Sequence, residues 1–300
     1  MVTERRGGRC RLAAWYPVAL FMLPLGWLGT GLTGVATAAH QAAAIDVNAE
    51  TVHYPSGSAS IEAYLARPKV GSRHAAVLVV HDDLGLNDAV RGTTRLFAQA
   101  GFLALAPNLL SRSTGAPAPG GGGGEGGLGR RTPVMGLPLQ QTLADVRAAF
   151  AFLQQHAEVD SARISALGVG WGGYRVWRLA EDAPALSHAV VFYGVAPTDD
   201  VLAKINAPVL AHYAQYDFLR TASALKTQKQ MGKKFTYYVY PAQRGFFGGG
   251  SGAAIDITAL AGEVDLLGTT APKPTLVAPA SDNTSAAKLA LERTLAFLRS

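Results

Sequence analysis

One cysteine, Cys10, serves a chain of 300 residues. That excludes an internal disulfide and any metal site built from several thiolates. Charge is sparse as well: 16% of residues are charged against 49% hydrophobic, which excludes a disordered polypeptide. The formal balance is +6, from 27 basic and 21 acidic residues. Four arginines and one glutamate lie ahead of residue 39, so the rest of the chain, with 23 basic and 20 acidic residues, carries +3. No basic stripe or basic–aromatic interleaving follows, and no nucleic-acid partner is expected. No motif calls for a metal or an organic cofactor. The 34 glycines and 16 prolines imply long loops.

The N-terminus reads as an export address. Arg5, Arg6, Arg9 and Arg11 are followed by an uncharged run from Leu12 to Val35, and Ala36-Thr37-Ala38 fits the small-residue pattern of a cleavage site. The expectation is a signal peptide over 1–38 and a linker over 39–49, giving a periplasmic or secreted protein. The alternative is an uncleaved membrane anchor, because about twenty apolar residues span a bilayer. Gly26, Gly29, Gly31, Gly34, Pro17 and Pro24 weaken a spanning helix. Arg5-Arg6 is followed by Gly7-Gly8 and not by an apolar pair, so the twin-arginine signal is weak. Cys10 sits in the charged region and has no role in a mature protein.

From residue 50 onward, strand and helix patterns alternate. Thr51–Tyr54 and Ile61–Ala66 flank Ser56-Gly57-Ser58 as an opening hairpin. Ala75–Val80 is a continuous apolar run, expected of a strand covered on both faces. Further strands are expected at Phe102–Pro107, Ile164–Val169, His188–Tyr193, Val209–Tyr213 and Phe235–Tyr240. Helical spacing marks Ala89–Ala100, Pro138–His156 and Ala286–Leu298. The pattern predicts an α/β domain over 50–300 with a mostly parallel sheet and helices on both faces. Glycine-rich loops interrupt it at 115–136 and 245–252. Neither has the Lys-Ser/Thr ending of a phosphate loop.

Gly168-Val169-Gly170-Trp171-Gly172-Gly173 follows a buried strand and opens a helix. That is the shape of a nucleophile elbow, where a strained turn presents a reactive side chain. An acid is expected after a later strand, and Asp217 follows Leu210–Tyr216 there. A base is expected after Tyr240-Pro241.

These pieces, together with His81-Asp82-Asp83-Leu84-Gly85-Leu86-Asn87 and Ala106–Arg112, resemble the dienelactone hydrolase family in order and spacing. The resemblance covers roughly residues 50–250 and the terminal helix. It implies an α/β-hydrolase domain with a Cys-His-Asp triad acting on small lactones or esters. Position by position, the family's cysteine falls on Gly170, its histidine on Arg244 and its acid on Asp217. The resemblance also implies oxyanion donors at the backbone N–H groups of Trp171 and Asp83. It aligns Arg112 with an arginine that holds a substrate carboxylate, and Asp82 with a glutamate beside the nucleophile.

Two of three triad positions are therefore substituted. Glycine has no atom with which to attack a carbonyl. Arginine keeps its proton near neutrality and cannot be a general base. Loss of triad members leaves roughly 10³–10⁴ over water from the oxyanion hole and binding. Of seven histidines, His81 and His212 lie at strand ends near the expected cleft. Ser165 lies within a strand, and Ser111 on a neighbouring loop. Arg244 is expected beside Asp217, either as a plain counter-ion or as a ligand contact. Trp171, Phe246 and Phe247 are candidates to wall an apolar pocket.

The leading expectation is an exported dienelactone hydrolase-like protein with a degenerate triad, binding a small acidic or carbonyl-bearing ligand. A second is a working hydrolase of carboxylic esters or lactones that uses a relocated nucleophile or an activated water, with His81 or His212 paired to Asp82 or Asp217. A third is an envelope interaction module presenting its glycine-rich loops. A membrane partner is expected only if the N-terminal segment stays uncleaved.

Overall fold

The structure, a computed structural model, describes residues 45–112, 133–247 and 283–300. Segment 1–38, most of the linker, and the glycine-rich stretches 115–132 and 248–252 lie outside the described residues. Among the described residues, no helix is long and apolar enough to cross a membrane.

The elements run β1 (Val47–Ser56), β2 (Ala59–Pro68), β3 (His74–Val80), α1 (Asp88–Gln99), β4 (Leu103–Pro107), α2 (Leu139–Gln155), β5 (Val159–Val169) and α3 (Trp171–Asp182). They continue as β6 (Ala189–Phe192), α4 (Asp199–Leu202), β7 (Val209–Ala214), α5 (Phe218–Met231), β8 (Phe235–Tyr240) and α6 (Asn283–Arg299). The predicted strands and helices are all present. The first strand starts at Val47, inside the stretch read as linker. β5 reaches back to Val159 because a register shift in its pairing with β3 accommodates the polar residues at its start.

All eight strands form one sheet in the order β1-β2-β4-β3-β5-β6-β7-β8. β1, β2 and β4 pair antiparallel, and the strands from β4 to β8 are parallel. From β3 the chain first moves to one side, to β4, and then to the other, to β5. Connections leave that point in opposite directions and open a crevice at the carboxyl ends of β3 and β5, where ligands bind in folds of this type.

Strand alternation splits the core into two layers. Val77 and Val79 pack with Leu96 and Phe97 of α1 and with Leu291 and Leu295 of α6. Ala76, Leu78 and Val80 pack with Val146 and Phe150 of α2 and with Val176 and Trp177 of α3. Each such fully buried side chain contributes about 1.5–3 kcal/mol, which explains why the central strands read as unbroken apolar runs. At the start of α1, the Asn87 side chain accepts from the Val90 N–H at 3.0 Å, a cap that holds the loop leading out of β3. The result is a mostly parallel sheet covered on both faces, the α/β-hydrolase architecture that the resemblance implied.

Candidate active site

β5 ends at Val169 and α3 begins at Trp171, so a single residue turns the chain. That residue, Gly170, has φ 52° and ψ −110°. A side chain held there carries a strain of order 1–3 kcal/mol. The turn is anchored by the Gly170 N–H donating to the Phe192 carbonyl at 2.8 Å. It also presses closely on β3: a Cβ at Gly172 would lie 2.3 Å from the His81 carbonyl oxygen and 2.4 Å from that of Val80. At Gly170 itself a Cβ would meet only Asp82 Cβ at 3.7 Å and Arg244 Nη2 at 3.9 Å, ordinary contacts. The elbow therefore has room for a reactive side chain and carries a hydrogen.

Asp217 follows β7 at the head of α5, and Arg244 follows β8. The fold brings both to the elbow: Arg244 Nε lies 3.8 Å from Asp217 Oδ2, and its Nη2 faces the position of a residue-170 side chain. Arg220, which the sequence reading did not single out, holds the acid more tightly. Its Nη1 donates to Asp217 Oδ1 at 2.9 Å and Oδ2 at 2.7 Å. The signal was local, since residues three apart at the start of a helix share a face. Asp217 is 9% exposed in its side chain, Arg220 23% and Arg244 53%. Arg244 is thus the open member of the group.

The two candidate histidines are structural. Leu109 N–H donates to His81 Nε2 at 3.2 Å, so that nitrogen is an acceptor and Nδ1 carries the hydrogen, which it donates to the Asp82 carbonyl at 2.7 Å. Burial lowers the His81 pKa to about 4, with the Arg175 charge adding to the effect. His212 bonds the Tyr240 hydroxyl at 2.9 Å and the Thr294 hydroxyl at 3.1 Å, in the layer beneath α6. Burial, followed by the Arg293 charge, holds it well below the usual imidazole range. Neither ring has a nitrogen left for a proton transfer. Ser165 Oγ lies 3.4 Å from His188 Nδ1, inside the strand and away from the turn. Ser111 Oγ is held between the Asn108 carbonyl and the Glu62 N–H.

Of the expected oxyanion donors, Trp171 supplies the first N–H of α3, an orphan donor by helix geometry. Its ring stacks on His81 at 5.8 Å with an interplanar angle of 5°, and the Arg175 guanidinium lies 3.4 Å from its centroid. Arg175 was also missed from sequence. It is 7% exposed and bonds the Trp171 carbonyl and Thr142, and burial lowers its pKa to about 10. Asp83 lies on the loop after β3. Its neighbour Asp82 is buried, and Asp82 Oδ1 accepts from the Leu84 N–H at 2.9 Å, which fixes the loop around Asp83.

Arg112 is engaged within the protein through two of its nitrogens: Nη2 donates to Asp145 Oδ1 at 2.6 Å and to the Ser56 carbonyl at 2.7 Å, and Nε donates to both Asp145 oxygens, while Nη1 is its remaining donor. A fully buried carboxylate requires such a partner, and Asp145 is the nearest and strongest acceptor. Phe246 and Phe247 do not wall a pocket. Both are fully buried, and Phe247 stacks on Phe192 at 3.9 Å while its N–H donates to the Tyr193 hydroxyl. Tyr193 itself holds a positive φ of 52° beside the elbow, the one non-glycine to do so among the described residues.

Among the described residues, no group of three or more His, Cys, Asp or Glu side chains is placed to hold a metal ion. The elbow, Trp171 and Arg244 offer N–H donors and a guanidinium, a set that receives negative charge. It includes no proton acceptor at the histidine position and no nucleophile at the elbow.

Residues 61–300 match the model of the dienelactone hydrolase family. A protein of Methylorubrum extorquens named "Putative carboxymethylenebutenolidase" is 29% identical over 238 residues, which is 71% of this chain and 78% of that one. A structure from Klebsiella pneumoniae, titled "Putative Dienelactone Hydrolase", superposes with a TM-score of 0.65 at 25% identity, covering 85% of this chain and 99% of that one. A dienelactone hydrolase structure from Anabaena variabilis shares the fold at a TM-score of 0.56 and 18% identity, covering 72% of this chain and 96% of the other. The match takes in every strand of the parallel sheet and each element that builds the elbow, and the chain belongs to the dienelactone hydrolase family.

Proposed function

We propose that this chain is an exported member of its family that no longer hydrolyses by a covalent route and binds a small acidic or carbonyl-bearing ligand at the former catalytic centre. The observation that carries this reading is Gly170: a strained elbow with space for a side chain, a hydrogen in place of the nucleophile, and Arg244 facing it. Without a nucleophile no acyl-enzyme forms, and a guanidinium beside the elbow can neutralise an oxyanion but not withdraw a proton. The hydrogen bonds made by both ring nitrogens of His81 and of His212 weigh against a relocated base. Export is supported by the arginine-rich start, the uncharged run to Val35 and Ala36-Thr37-Ala38.

The test is covalent labelling of the purified chain with thiol- and serine-directed esterase probes, alongside turnover of a panel of p-nitrophenyl esters. No stoichiometric label in the cleft and rates equal to buffer are expected. A mapped label on a cleft residue, or turnover lost in a His81→Ala variant, would overturn the reading. Sequencing the N-terminus of protein recovered from the cell envelope tests export, and a mature start near residue 39 is expected.

A further inference from the structure

We infer that the ligand of this site is an amphiphilic monocarboxylate, its head group held by Arg244 at the vacated nucleophile position and its apolar body laid across Leu84, Val195, Tyr216 and Leu219. This rests on the non-catalytic reading above and names the ligand class.

The head-group argument begins with Asp217. Arg220 already donates to both of its oxygens, so the acid has its counter-ion, and Arg244 makes only a 3.8 Å approach to it. Arg244 is therefore not needed to neutralise Asp217. It is half-exposed, and Nη2 lies 3.9 Å from the point where a residue-170 Cβ would stand. A planar fork of donors matches a two-oxygen anion. Asp217 offsets one of the two guanidiniums and Asp82 supplies a second carboxylate, so these four groups have no surplus of positive charge. Asp82, whose Cβ is 3.7 Å from the same point, further disfavours a dianion such as phosphate.

The body of the ligand follows from the rim. Among the described residues six large hydrophobic side chains are exposed, and four of them are Leu84 (40%), Val195 (50%), Tyr216 (67%) and Leu219 (87%). Leu84 follows β3, Val195 follows β6, and Tyr216 and Leu219 bracket Asp217 after β7. In the sheet β3 and β6 border β5 on either side and β7 lies next beyond β6, so the four residues follow the carboxyl ends of strands at the same sheet edge as the elbow. Exposed hydrophobic residues scattered singly need no explanation, but a set that follows neighbouring strand ends at the edge carrying the elbow offers an apolar surface to a ligand. An apolar rim around one guanidinium fits an anion with a hydrocarbon or aromatic body. A short hydrophilic acid would leave the rim bare.

The experiment is calorimetric titration of the full chain with sodium acetate, sodium octanoate and octanamide, repeated with Arg244→Gln, Arg244→Lys and Leu219→Ser. Octanoate is expected to bind one to one, at least ~10-fold tighter than acetate, since each methylene withdrawn from water contributes about fourfold. It should also bind more tightly than octanamide. Arg244→Gln should bring octanoate down to the octanamide level, with Arg244→Lys intermediate, and Leu219→Ser should weaken octanoate but not acetate. Circular dichroism identifies any variant that has unfolded. Octanoate no tighter than acetate, or an octanoate-to-octanamide ratio unchanged by Arg244→Gln, would overturn the inference. Hydrolysis of p-nitrophenyl octanoate by the unaltered chain would instead overturn the non-catalytic reading, and the binding ratios would still decide the ligand class.

Discussion

Arg220 Nη1 bonds both carboxylate oxygens of Asp217, at 2.9 and 2.7 Å, while Arg244 approaches the same group only at 3.8 Å. Asp217 is held by a residue one helical turn along its own chain. Arg244 has little work to do for Asp217, and that asymmetry is measurable.

A double-mutant cycle reads it. Arg220→Gln removes two bonds to a nearly buried carboxylate and should lower stability by about 2 kcal/mol. Arg244→Gln removes an exposed, long contact and should lower it by no more than about 1 kcal/mol. Together they leave Asp217 without a cation, so the double variant should lose more than the two single losses combined, approaching ~3–5 kcal/mol. Urea unfolding of the four proteins checks this, and additive losses would mean that Arg244 cannot substitute for Arg220.

The elbow predicts opposite outcomes for two neighbouring glycines. Gly170→Ala should fold and lose about 1–3 kcal/mol, because its positive φ is unfavourable to a side chain while the space for a Cβ is open. Gly172→Ala should lose far more or fail to fold, because its Cβ would stand 2.3 Å from the His81 carbonyl oxygen. Thermal melts of both variants, with expression yield, distinguish the two causes.

Rebuilding the triad should create activity. Gly170→Cys adds a thiol on a Cβ that meets only ordinary contacts, and Arg244→His supplies a base near Asp217. The double variant is expected to be alkylated by iodoacetamide and to turn over p-nitrophenyl acetate above either single variant. Arg220→Gln added to that pair should increase the rate further by releasing Asp217 to orient the new imidazole. Burst kinetics and mass spectrometry of the acyl-enzyme provide the measurement.

His81 makes stability depend on acid. Its folded-state pKa of about 4 lies below the usual 6.5, so the folded state binds the proton more weakly than the unfolded one. The stabilisation is complete above pH 6.5 and is lost as pH falls toward 4, a total of about 3 kcal/mol. His212, also lowered by burial, acts in the same direction. Urea unfolding at pH 7 and pH 4 should show a larger loss for the unaltered chain than for His81→Gln. Equal losses would mean that the ring is not held neutral.

Much of this molecule was legible from its residues. Unbroken apolar runs such as Ala75–Val80 marked strands covered on both faces, because period-two burial on two layers leaves no polar positions. Gly-rich spacing after β5 marked the elbow, and Gly170 leaves that turn without a side chain, since no neighbour can supply a missing atom. Those are local properties of the chain. Partner choice was not local. Arg112 is bound to Asp145, 33 residues away, and His81 to Leu109, 28 residues away, because the packing of α2 and of the β4 end brings those groups together. Phe246 and Phe247 read in sequence equally as pocket walls or as packing and proved to be core, since only the stacking of the β6 and β8 ends decides which aromatic faces solvent. Residue types and their order determined the scaffold and the bare turn after β5. The tertiary structure decided which charges remain available, because a charge is free or engaged only relative to groups that folding places beside it.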